Sequence, residues 1–282
     1  MYMHLDDSRR IAMSSNGNGI WSAEVELGYG VSYGYELCSS DGEVLCREEF
    51  GNHRVMADGD VEFFDHWLDL PQDKQFYSSL FTEGVFRRDI MSDALQIANN
   101  QLVVCVDAPT LRSGERLAIV GSAAEMGEWR IDNALLMNDS QAPTWSVALP
   151  RSVAGSEYKF VILDSSTNAL IQFEQGDNRV FPTSDSECVI VSGLRLRDGR
   201  RPWRGAGVAI PLFSIRSADD WGCGDFKSLT LLGEWAASVG MSVIQLLPIN
   251  DTTASGSWRD SYPYNAISSF ALHPIYLDPR GA

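Results

Sequence analysis

A long internal repeat constrains the fold of this chain more than any other feature of its sequence. Eight residues near the start recur later at an almost constant offset, which is 124 for the first two pairs and 125 for the others. The pairs are Met13 with Met137, Trp21 with Trp145, Tyr33 with Tyr158, Tyr35 with Phe160, Glu49 with Glu174, Gly51 with Gly176, Arg54 with Arg179, and Val55 with Val180. Such self-similarity indicates two copies of one folding unit, which we call the first repeat and the second repeat.

Both repeats have the sequence pattern of short β-strands. Segments such as YGYEL in the first repeat and YKFVIL in the second are rich in aromatic and β-branched residues, and Gly, Asn and Asp separate them. Upstream in the second repeat, LVVCVDAP and RLAIVGSA predict two further strands. Short strands at this spacing favour an antiparallel β-sandwich of about 95 residues. We therefore predict a complete sandwich over residues 101–193 and the C-terminal part of a similar one over residues 1–56.

The first repeat is shorter than the second at its N-terminal end. Subtracting the offset of 124 from Gln101, where the second repeat begins, gives a position before Met1. The first repeat therefore lacks about 24 residues that the second repeat has, and those residues would supply two strands. We expect Met1 to lie inside a domain. Residues 57–100 join the repeats and are acidic and aromatic, so we predict an ordered connector that packs Phe63, Phe64, Trp67 and Phe76 against a neighbour.

After Gly193 the sequence pattern changes from short strands to a strand–helix–strand unit. GVAIPLF is a short apolar run, and DFKSLTLLGEWAASVG has apolar residues at helical spacing, with either Trp235 or Ala236 on the buried face. Asp225 is the predicted N-cap and Gly240 the predicted residue after the helix. MSVIQLLP then reads as a buried strand, so residues 200–282 are predicted to begin a parallel β/α domain.

Charge and hydropathy exclude several classes of partner. The net charge of −16 would repel phosphate backbones and anionic lipid, so neither nucleic acid nor a membrane is an expected partner. No apolar run approaches the length of a membrane span, and the N-terminus has no apolar signal core. Five cysteines without close pairing are typical of the reducing cytosol, so a cytoplasmic location is predicted.

Common catalytic motifs are absent from the sequence. It contains no G-x-S-x-G elbow, no H-E-x-x-H and no P-loop, and its four histidines are scattered. Neither metal-ion nor Ser-His chemistry therefore has support, and we assign no metal ligand within this chain.

The second repeat carries residues suited to sugar binding, where flat aromatic rings stack on the apolar faces of glucose and polar groups reach the hydroxyls. Trp129 follows a glycine turn in MGEW, Lys159 alternates with inward-facing Tyr158 and Phe160, and QFEQGDNR offers Phe173 and Asn178. The alternative is that the two aromatic residues pack in the core or at its rim and that Lys159 is a solvated lysine.

These motifs resemble a known family. The order MGEW, W, YKF and FE-x-G-x-NR is similar to the starch-binding domain, carbohydrate-binding module family 20. The resemblance implies that Trp129, Lys159, Phe173 and Asn178 form one glucan site, with Phe173 in place of the usual Trp. Trp145 falls where the family has a Trp associated with a second site, although its recurrence as Trp21 fits a structural role equally well.

By the repeat offset, the first repeat lacks this site. The positions that correspond to Lys159, Phe173 and Trp129 would be Gly34, Glu48 and Leu5. None of these residues offers a stacking surface, so we predict that the first repeat does not bind glucan.

The C-terminal segment resembles a second family. From Trp203 to Asp278, stretches such as GVAIPLFSIRS, QLLPINDT and SYPYNAISSFALHPIYL are similar to the start of the catalytic barrel of amylomaltases and disproportionating enzymes, the 4-α-glucanotransferases of glycoside hydrolase family 77. The resemblance implies that Tyr264 stacks on glucose at the cleavage subsite. Asp251 could bind a hydroxyl or cap the loop, and the alternative for Trp258 and Tyr262 is loop packing.

Together the resemblances predict a multidomain chain, with antiparallel β-sandwich starch-binding domains followed by the start of a (β/α)8 TIM barrel. They imply a cytoplasmic 4-α-glucanotransferase that transfers segments or glucosyl units of α-1,4-glucans such as starch, glycogen and maltodextrins by retention, without a cofactor. A (β/α)8 barrel needs about 250 residues, so we expect the chain to be a fragment that lacks the family's catalytic carboxylates. The alternatives are a non-catalytic α-glucan-binding protein and a family 13 amylase-type hydrolase, against which the PINDT and SYPYN motifs argue.

Overall fold

The structure is a computed structural model of the 282-residue chain. It describes residues 1–5, 9–48, 53–68, 76, 78, 80–86, 88, 90–200, 204–278 and 280. Glu49 and Gly51 of the predicted repeat pairs, and Trp203 at the start of the second resemblance, lie outside these residues. The chain divides into two compact units, Met1–Arg200 and Arg201–Ala282, which are described separately.

The first repeat forms one five-stranded antiparallel sheet with the order β2-β1-β5-β6, in which β7 also pairs with β5. A separate two-stranded pair, β3 and β4, lies between β2 and β5 in the sequence. The strands are β1 (Tyr2–Leu5), β2 (Arg10–Ala12), β3 (Ser14–Ser15), β4 (Trp21–Ser22), β5 (Ser32–Cys38), β6 (Val44–Arg47) and β7 (His53–Arg54).

The second repeat forms a sandwich of two five-stranded sheets, which confirms the β-sandwich prediction. One sheet has the order β11-β10-β14-β15 with β16 beside β14, and the other has the order β12-β13-β9-β17-β8. The strands are β8 (Val61–Asp65), β9 (Gln101–Asp107), β10 (Glu115–Gly121), β11 (Leu135–Leu136), β12 (Asn138–Gln141), β13 (Thr144–Pro150), β14 (Glu157–Asp164), β15 (Leu170–Phe173), β16 (Arg179–Val180) and β17 (Cys188–Arg195). Pairing is antiparallel except at β17, which runs parallel to both β9 and β8.

The sheet of the first repeat reproduces one sheet of the second repeat strand for strand. In the first repeat Met3 pairs with Tyr35, and in the second repeat Ile119 pairs with Phe160 in the same way. The central strands β5 and β14 also share a register irregularity, which follows Leu37 in β5 and Ile162 in β14. The repeat inferred from the sequence is therefore a repeat of backbone pairing.

The prediction that the first repeat lacks two strands is wrong for one of them. β1 pairs with β5 as β10 pairs with β14, so β10 has a counterpart. The offset between these partners is 116, from Met3 to Ile119, because the β1–β2 connection is much shorter than the β10–β11 connection. A constant offset conceals a deletion of this kind.

The connector supplies an edge strand to the second repeat. β8 pairs with β17 in parallel over five residues, from Val61 opposite Cys188 to Asp65 opposite Ser192. Phe63 and Trp67 pack on the core of the first repeat, while Phe64 packs on the core of the sandwich, as predicted. Phe76 contacts the rings of Phe81 and Phe86 at centroid distances of 5.2 and 5.9 Å.

Apolar side chains from both sheets fill the sandwich. Its core includes Leu102 of β9, Leu117 of β10, Trp145 of β13, Phe160 of β14 and Val189 of β17. The opposite face of β9 and β17 is also covered, since connector side chains pack against Val103, Cys105, Cys188 and Ile190. Burial on both faces explains why these two strands are continuous apolar runs rather than alternating ones.

The second unit contains the predicted strand–helix–strand arrangement. β18 (Gly207–Ile210) pairs in parallel with β19 (Val243–Leu246), and α1 (Phe226–Ser238) connects them in sequence. The Asp225 carboxylate accepts a hydrogen bond from the Ser228 amide at 2.7 Å, which confirms the N-cap. Gly240 has a φ of +77° beyond the helix end, as predicted for its position. Ala236, not Trp235, is the buried alternative, since Trp235 is 52% exposed.

Short helical turns complete the described structure. A π-type turn spans Leu80–Val85. Turns of 3-10 helix span Ile131–Asn133, Arg151–Val153, Leu212–Ser214, Trp258–Ser261 and Pro274–Tyr276, and a kinked segment with non-helical residues inside it spans Ala124–Trp129. Among the residues that the structure describes, none of the helices has both the length and the apolar character to cross a membrane.

Gly193 makes the close approach of β8 to β17 possible. It lies at an irregularity of β17 with a φ of +69°, and a Cβ there would collide with the backbone carbonyl oxygen of His66. We predict that Gly193→Ala lowers the free energy of unfolding by about 1–3 kcal/mol beyond the backbone strain of the substitution. Urea denaturation measures this loss.

The matched control is Gly59→Ala, at the turn before β8. Gly59 has a φ of +97°, but a Cβ there would have no neighbour within 4 Å. This variant should show backbone strain alone, about 1–2 kcal/mol. Equal losses in the two variants would contradict the predicted collision.

Candidate functional site

The residues proposed for sugar binding follow the outer face of one sheet of the second repeat. Residues directly opposite on neighbouring strands share a face. Lys159 on β14 is opposite Val120 of β10, and two residues further Val161 is opposite Phe173 of β15. Lys159 and Phe173 are therefore on the same face, and the Phe173 side chain is 38% exposed.

Two hydrogen bonds connect the turn after β15 to the same face of β14. Lys159 Nζ donates to the carbonyl oxygen of Gly176 at 2.6 Å, and Asn178 Nδ2 donates to Glu157 Oε2 at 2.8 Å. Lys159 is thus not merely a solvated lysine. Glu157 was missed by sequence reasoning, although the alternation in EYKF places it on the same face as Lys159.

Trp129 lies on the connection that covers this face. Ile131 and Ala134 of the β10–β11 connection pack against Ala118 and Val161 of the outer face. Trp129 precedes them and is 37% exposed, so it is not a core residue. The structure therefore brings Lys159, Phe173 and Asn178 to one face of the sheet, and it places Trp129 on the connection whose next residues cover that face.

The turn before Trp129 is strained. Gly127, Glu128 and Trp129 have φ values of +73°, +50° and +65°. A Cβ on Gly127 would lie 2.6 Å from the carbonyl oxygen of Asn133, so only glycine fits there. Non-glycine residues in this left-handed region cost about 1–2 kcal/mol each and are enriched at functional sites. The turn that carries the Trp129 indole is therefore less stable than a turn with ordinary backbone angles.

A buried carboxylate beneath the site holds the turn after β15. The Glu174 side chain is fully buried, and its oxygens accept hydrogen bonds from the Phe160 amide at 3.2 Å, from Arg179 Nε at 2.9 Å and from Arg197 Nε at 3.1 Å. Arg197 also donates to the carbonyl oxygen of Asp177 at 2.6 Å. Burial alone would raise the pKa of Glu174, but the hydrogen bonds from the two arginines outweigh it and hold the pKa below its usual value.

Trp145 has a structural environment. It is 2% exposed and lies in the sandwich core. The guanidinium of Arg88 lies over its ring in a cation–π contact, 4.4 Å from the ring centroid. Its counterpart Trp21 is 36% exposed. Of the two interpretations of Trp145, the structure supports packing.

Strand register corrects two of the correspondences predicted for the first repeat. In the second repeat Phe173 is opposite Val161, and in the first repeat Arg47 is opposite Glu36, the residue that corresponds to Val161. Arg47, and not Glu48, is therefore the counterpart of Phe173. Leu5 is opposite Tyr33 as Gly121 is opposite Tyr158, so Leu5 does not correspond to Trp129. The β1–β2 connection is too short to hold a counterpart of the Trp129 turn.

The outer face of the first repeat is charged where that of the second repeat is apolar. Glu36 has a fully buried side chain between Arg10 and Arg47, and the Arg47 guanidinium lies 2.6 Å from it. The corresponding residue of the second repeat is Val161, which lies in an apolar cluster that Ile131 and Ala134 of the β10–β11 connection cover. Gly34 corresponds to Lys159, as predicted, and is opposite His4.

In the second unit, Tyr264 lies on a loop that is closed at its base. Asn250 forms a bridge with Leu272, and the amide of Asp251 donates to Ala271 at 2.9 Å. Tyr264 is 58% exposed, and its ring centroid is 5.5 Å from that of Tyr262. The rings are therefore available at the surface of this unit.

Asp251 caps this loop, which supports one of its two predicted roles. Its carboxylate accepts hydrogen bonds from the amide of Thr253 at 2.9 Å and from the Thr253 hydroxyl. The hydroxyl bond is the largest of the causes that lower the pKa of Asp251. Trp258, in the same loop, is 82% exposed and so does not pack.

The part of the chain that the structure describes holds no cluster of three or more His, Cys, Asp or Glu side chains that could bind a metal ion. The same residues include all five cysteines, and no disulfide bond joins them.

Comparison with known proteins matches two parts of the chain to two families. Residues 101–191 match the family model of the starch binding domain, carbohydrate-binding module family 20. Residues 210–281 match the family model of glycoside hydrolase family 77, described as 4-alpha-glucanotransferase. The resemblance to both families is therefore confirmed.

Individual relatives agree with these matches. The chain is 35% identical to a 4-alpha-glucanotransferase, DPE2, of Oryza sativa subsp. japonica, over 92% of this chain and 29% of the rice protein. It is 48% identical to a 4-alpha-glucanotransferase of Chlamydia pneumoniae, over 25% of this chain and 12% of that protein. The chain thus spans less than a third of the length of either relative.

A solved structure is also similar to part of the chain. It is the family 20 carbohydrate-binding module of a maltotetraose-forming amylase from Pseudomonas saccharophila STB07, at 20% identity and a TM-score of 0.28. The similarity covers 33% of this chain and 99% of that chain.

We predict that Glu174→Gln destabilises the second repeat by about 3–5 kcal/mol, because it leaves two arginines without their buried partner. The folded pKa of Glu174 is lowered, so its contribution to stability is present above the unfolded pKa, near 4.3, and is lost as the pH falls through the folded pKa. Urea denaturation at pH 7 and at pH 3.5 measures both effects. The exposed Glu128→Gln is the control and should change stability little, and an equal loss in the two variants would contradict the role of Glu174.

Proposed function

We propose that the second repeat binds α-1,4-glucans through Trp129, Lys159, Phe173 and Asn178. The match of residues 101–191 to the starch binding domain supports the ligand class. The observation that carries the choice of face is that Lys159 and the partly exposed Phe173 share one face of the sheet, to which Asn178 is hydrogen-bonded.

The chemistry of this face suits a glucan. Aromatic rings cover the apolar face of a pyranose ring, and the Lys159 ammonium and the Asn178 amide can hydrogen-bond to hydroxyls. Their present bonds to Gly176 and Glu157 hold both groups against the sheet. Because Phe173 is smaller than Trp, it provides less stacking area, so affinity is in the high micromolar to millimolar range.

The whole protein is proposed to be a 4-α-glucanotransferase. The match of residues 210–281 to that family, together with the parallel pairing of β18 and β19, supports the start of a (β/α)8 barrel. Tyr264 follows β19 on the loop at its C-terminal end, the side on which such barrels bind substrate, and is proposed to stack on glucose. Starch, glycogen and maltodextrins are the proposed donors and acceptors, and the cytoplasm is the proposed location.

The first repeat is proposed not to bind glucan. It has Gly34 and Arg47 at the positions of Lys159 and Phe173, and its β1–β2 connection is too short for a turn like that of Trp129. Residues 1–56 are therefore proposed to be part of a sandwich-like repeat that has no aromatic residue at the positions of Lys159 and Phe173, and residues 57–100 its connector to the complete domain at 101–193.

We predict that Trp129→Ala abolishes retardation of the chain on amylopectin-containing gels, because it removes the larger of the two stacking surfaces. The matched control is Trp21→Ala, which removes an indole of nearly equal exposure, 36% against 37%, from the first repeat. Arg47→Ala is a second control at the position of Phe173. Normal retardation of Trp129→Ala, or loss of retardation in either control, would place the glucan site elsewhere.

We also predict that the purified 282-residue chain neither releases glucose from maltotriose nor lengthens it. The resemblance to the family implies that its catalytic carboxylates lie on later barrel strands, outside this chain. Transfer above that of a mock preparation would contradict this placement. Sequencing the gene beyond the codon for Ala282 separates the remaining outcomes, since a stop codon there would favour a non-catalytic glucan-binding protein.

A further inference from the structure

A buried cluster of ionisable side chains fastens the first repeat to the second. The cluster contains two residues of the first repeat, which are His53 of β7 and Glu48, five residues earlier in the chain. Asp65 comes from β8 and Ser192 comes from β17. The side chains of His53, Glu48 and Asp65 are 2%, 2% and 3% exposed. The cluster plays no part in the proposed glucan site.

Both nitrogens of the His53 ring face hydrogen-bond acceptors. Nε2 lies 3.2 Å from Glu48 Oε1. Nδ1 lies 3.0 Å from Ser192 Oγ and 3.4 Å from Asp65 Oδ1. The Ser192 hydroxyl donates its proton to Asp65 at 2.5 Å, so its oxygen can only accept from the ring. A ring that must donate from both nitrogens is an imidazolium.

The carboxylates of Glu48 and Asp65 are surrounded by donors in turn. Glu48 accepts from the amides of Tyr35 at 3.1 Å and Leu68 at 3.0 Å. Asp65 Oδ2 accepts from the hydroxyls of Tyr33 at 2.8 Å and Tyr35 at 2.6 Å. These bonds satisfy the oxygens of both carboxylates, and His53 is the cation that offsets the two buried negative charges.

The second repeat has a permanent cation at the matching place. Tyr158 is opposite Arg179 as Tyr33 is opposite His53, so these two residues correspond. Their acidic partners correspond as well, because the amide of Glu48 donates to Tyr35 as that of Glu174 donates to Phe160. The predicted pairs of Arg54 with Arg179 and of Glu49 with Glu174 are therefore each displaced by one residue. An arginine cannot lose its charge in the accessible pH range, whereas a histidine can.

We propose that His53 is a proton-dependent link, which holds the first repeat on the second while its ring is charged and releases it when the ring loses its proton. A neutral ring leaves two buried carboxylates without a cation, and it turns a nitrogen lone pair towards an acceptor. The second repeat keeps its own ion pair and stays folded. The first repeat therefore detaches at high pH, while the second repeat stays folded.

The titration of the cluster gives the pH range. Burial by itself would lower the pKa of His53, but hydrogen bonds and charge from Asp65 and Glu48 raise it to about 9 from 6.5. Since the folded pKa is raised, the link is complete below about pH 6.5 and is lost as the pH rises through about 9. Burial raises the pKa of Tyr33 and Tyr35 above their ordinary value, so they do not titrate in this range.

Other charged groups near the ring do not replace this link. His66 follows Asp65 in the chain, and Asp107 lies on β9, and each interacts electrostatically with His53. Neither makes a hydrogen bond to the ring among the described residues. His66 therefore provides a control of the same residue type.

Chymotrypsin cleavage of the full chain tests the proposal at pH 7 and pH 9.5. Tyr33 and Tyr35 are buried and are expected to become accessible when the first repeat detaches, and Tyr158 and Phe160 are the matching sites in the second repeat. The ratio of cleavage after Tyr33 and Tyr35 to cleavage after Tyr158 and Phe160 is measured by mass spectrometry. This ratio should rise on the order of 100-fold from pH 7 to pH 9.5. His53→Arg, which copies Arg179, should abolish the rise, and His66→Gln should keep it.

A direct titration keeps the test decisive if His53→Arg does not fold. The NMR signals of the His53 ring in the unmodified chain should show the imidazolium at pH 7 and a pKa raised well above 6.5. Amylopectin retardation should persist at pH 9.5, because the second repeat remains folded. A ring that titrates at its ordinary value, or cleavage that rises equally in both repeats, would overturn the proposal.

Discussion

The buried carboxylate of Glu174 is the interaction on which the candidate glucan site depends. It follows Phe173 directly in the chain, and its bonds to the Phe160 amide, Arg179 and Arg197 hold both ends of the turn that carries Gly176 and Asn178. A charge with no exposure is stable only when its partners are in place, so the turn has one favourable arrangement. In the first repeat, Glu48 is the corresponding buried carboxylate, and its cation is His53.

Comparison of the two repeats shows how one backbone supports two surfaces. Inward-facing residues keep their character, since Tyr33 and Tyr35 correspond to Tyr158 and Phe160. The outer face differs because Ile131 and Ala134 of the long β10–β11 connection cover it in the second repeat, whereas the β1–β2 connection of the first repeat is much shorter. Without that cover an apolar face would contact water, and the first repeat has Glu36 with Arg10 and Arg47 instead.

The connector and the repeats form a continuous structure. β8 completes one sheet of the sandwich, and its side chains pack on both repeats. An unpaired β17 edge would expose a row of backbone donors and acceptors, and the pairing removes it. The buried His53 cluster forms at this junction, which explains why its members come from three separate parts of the chain.

The sequence by itself determined the elements and their order. Aromatic and β-branched periodicity identified the sandwich, the Asp225 cap and Gly240 marked the ends of α1, and alternation along YKF placed Lys159 on the outer face, because these signals act between near neighbours in the chain. Tertiary structure alone decided the register of the repeats, the parallel position of β8 and the meeting of His53 with Asp65 and Ser192. A constant offset cannot reveal where a connection has been shortened, and contacts between distant segments leave no periodic pattern in the sequence.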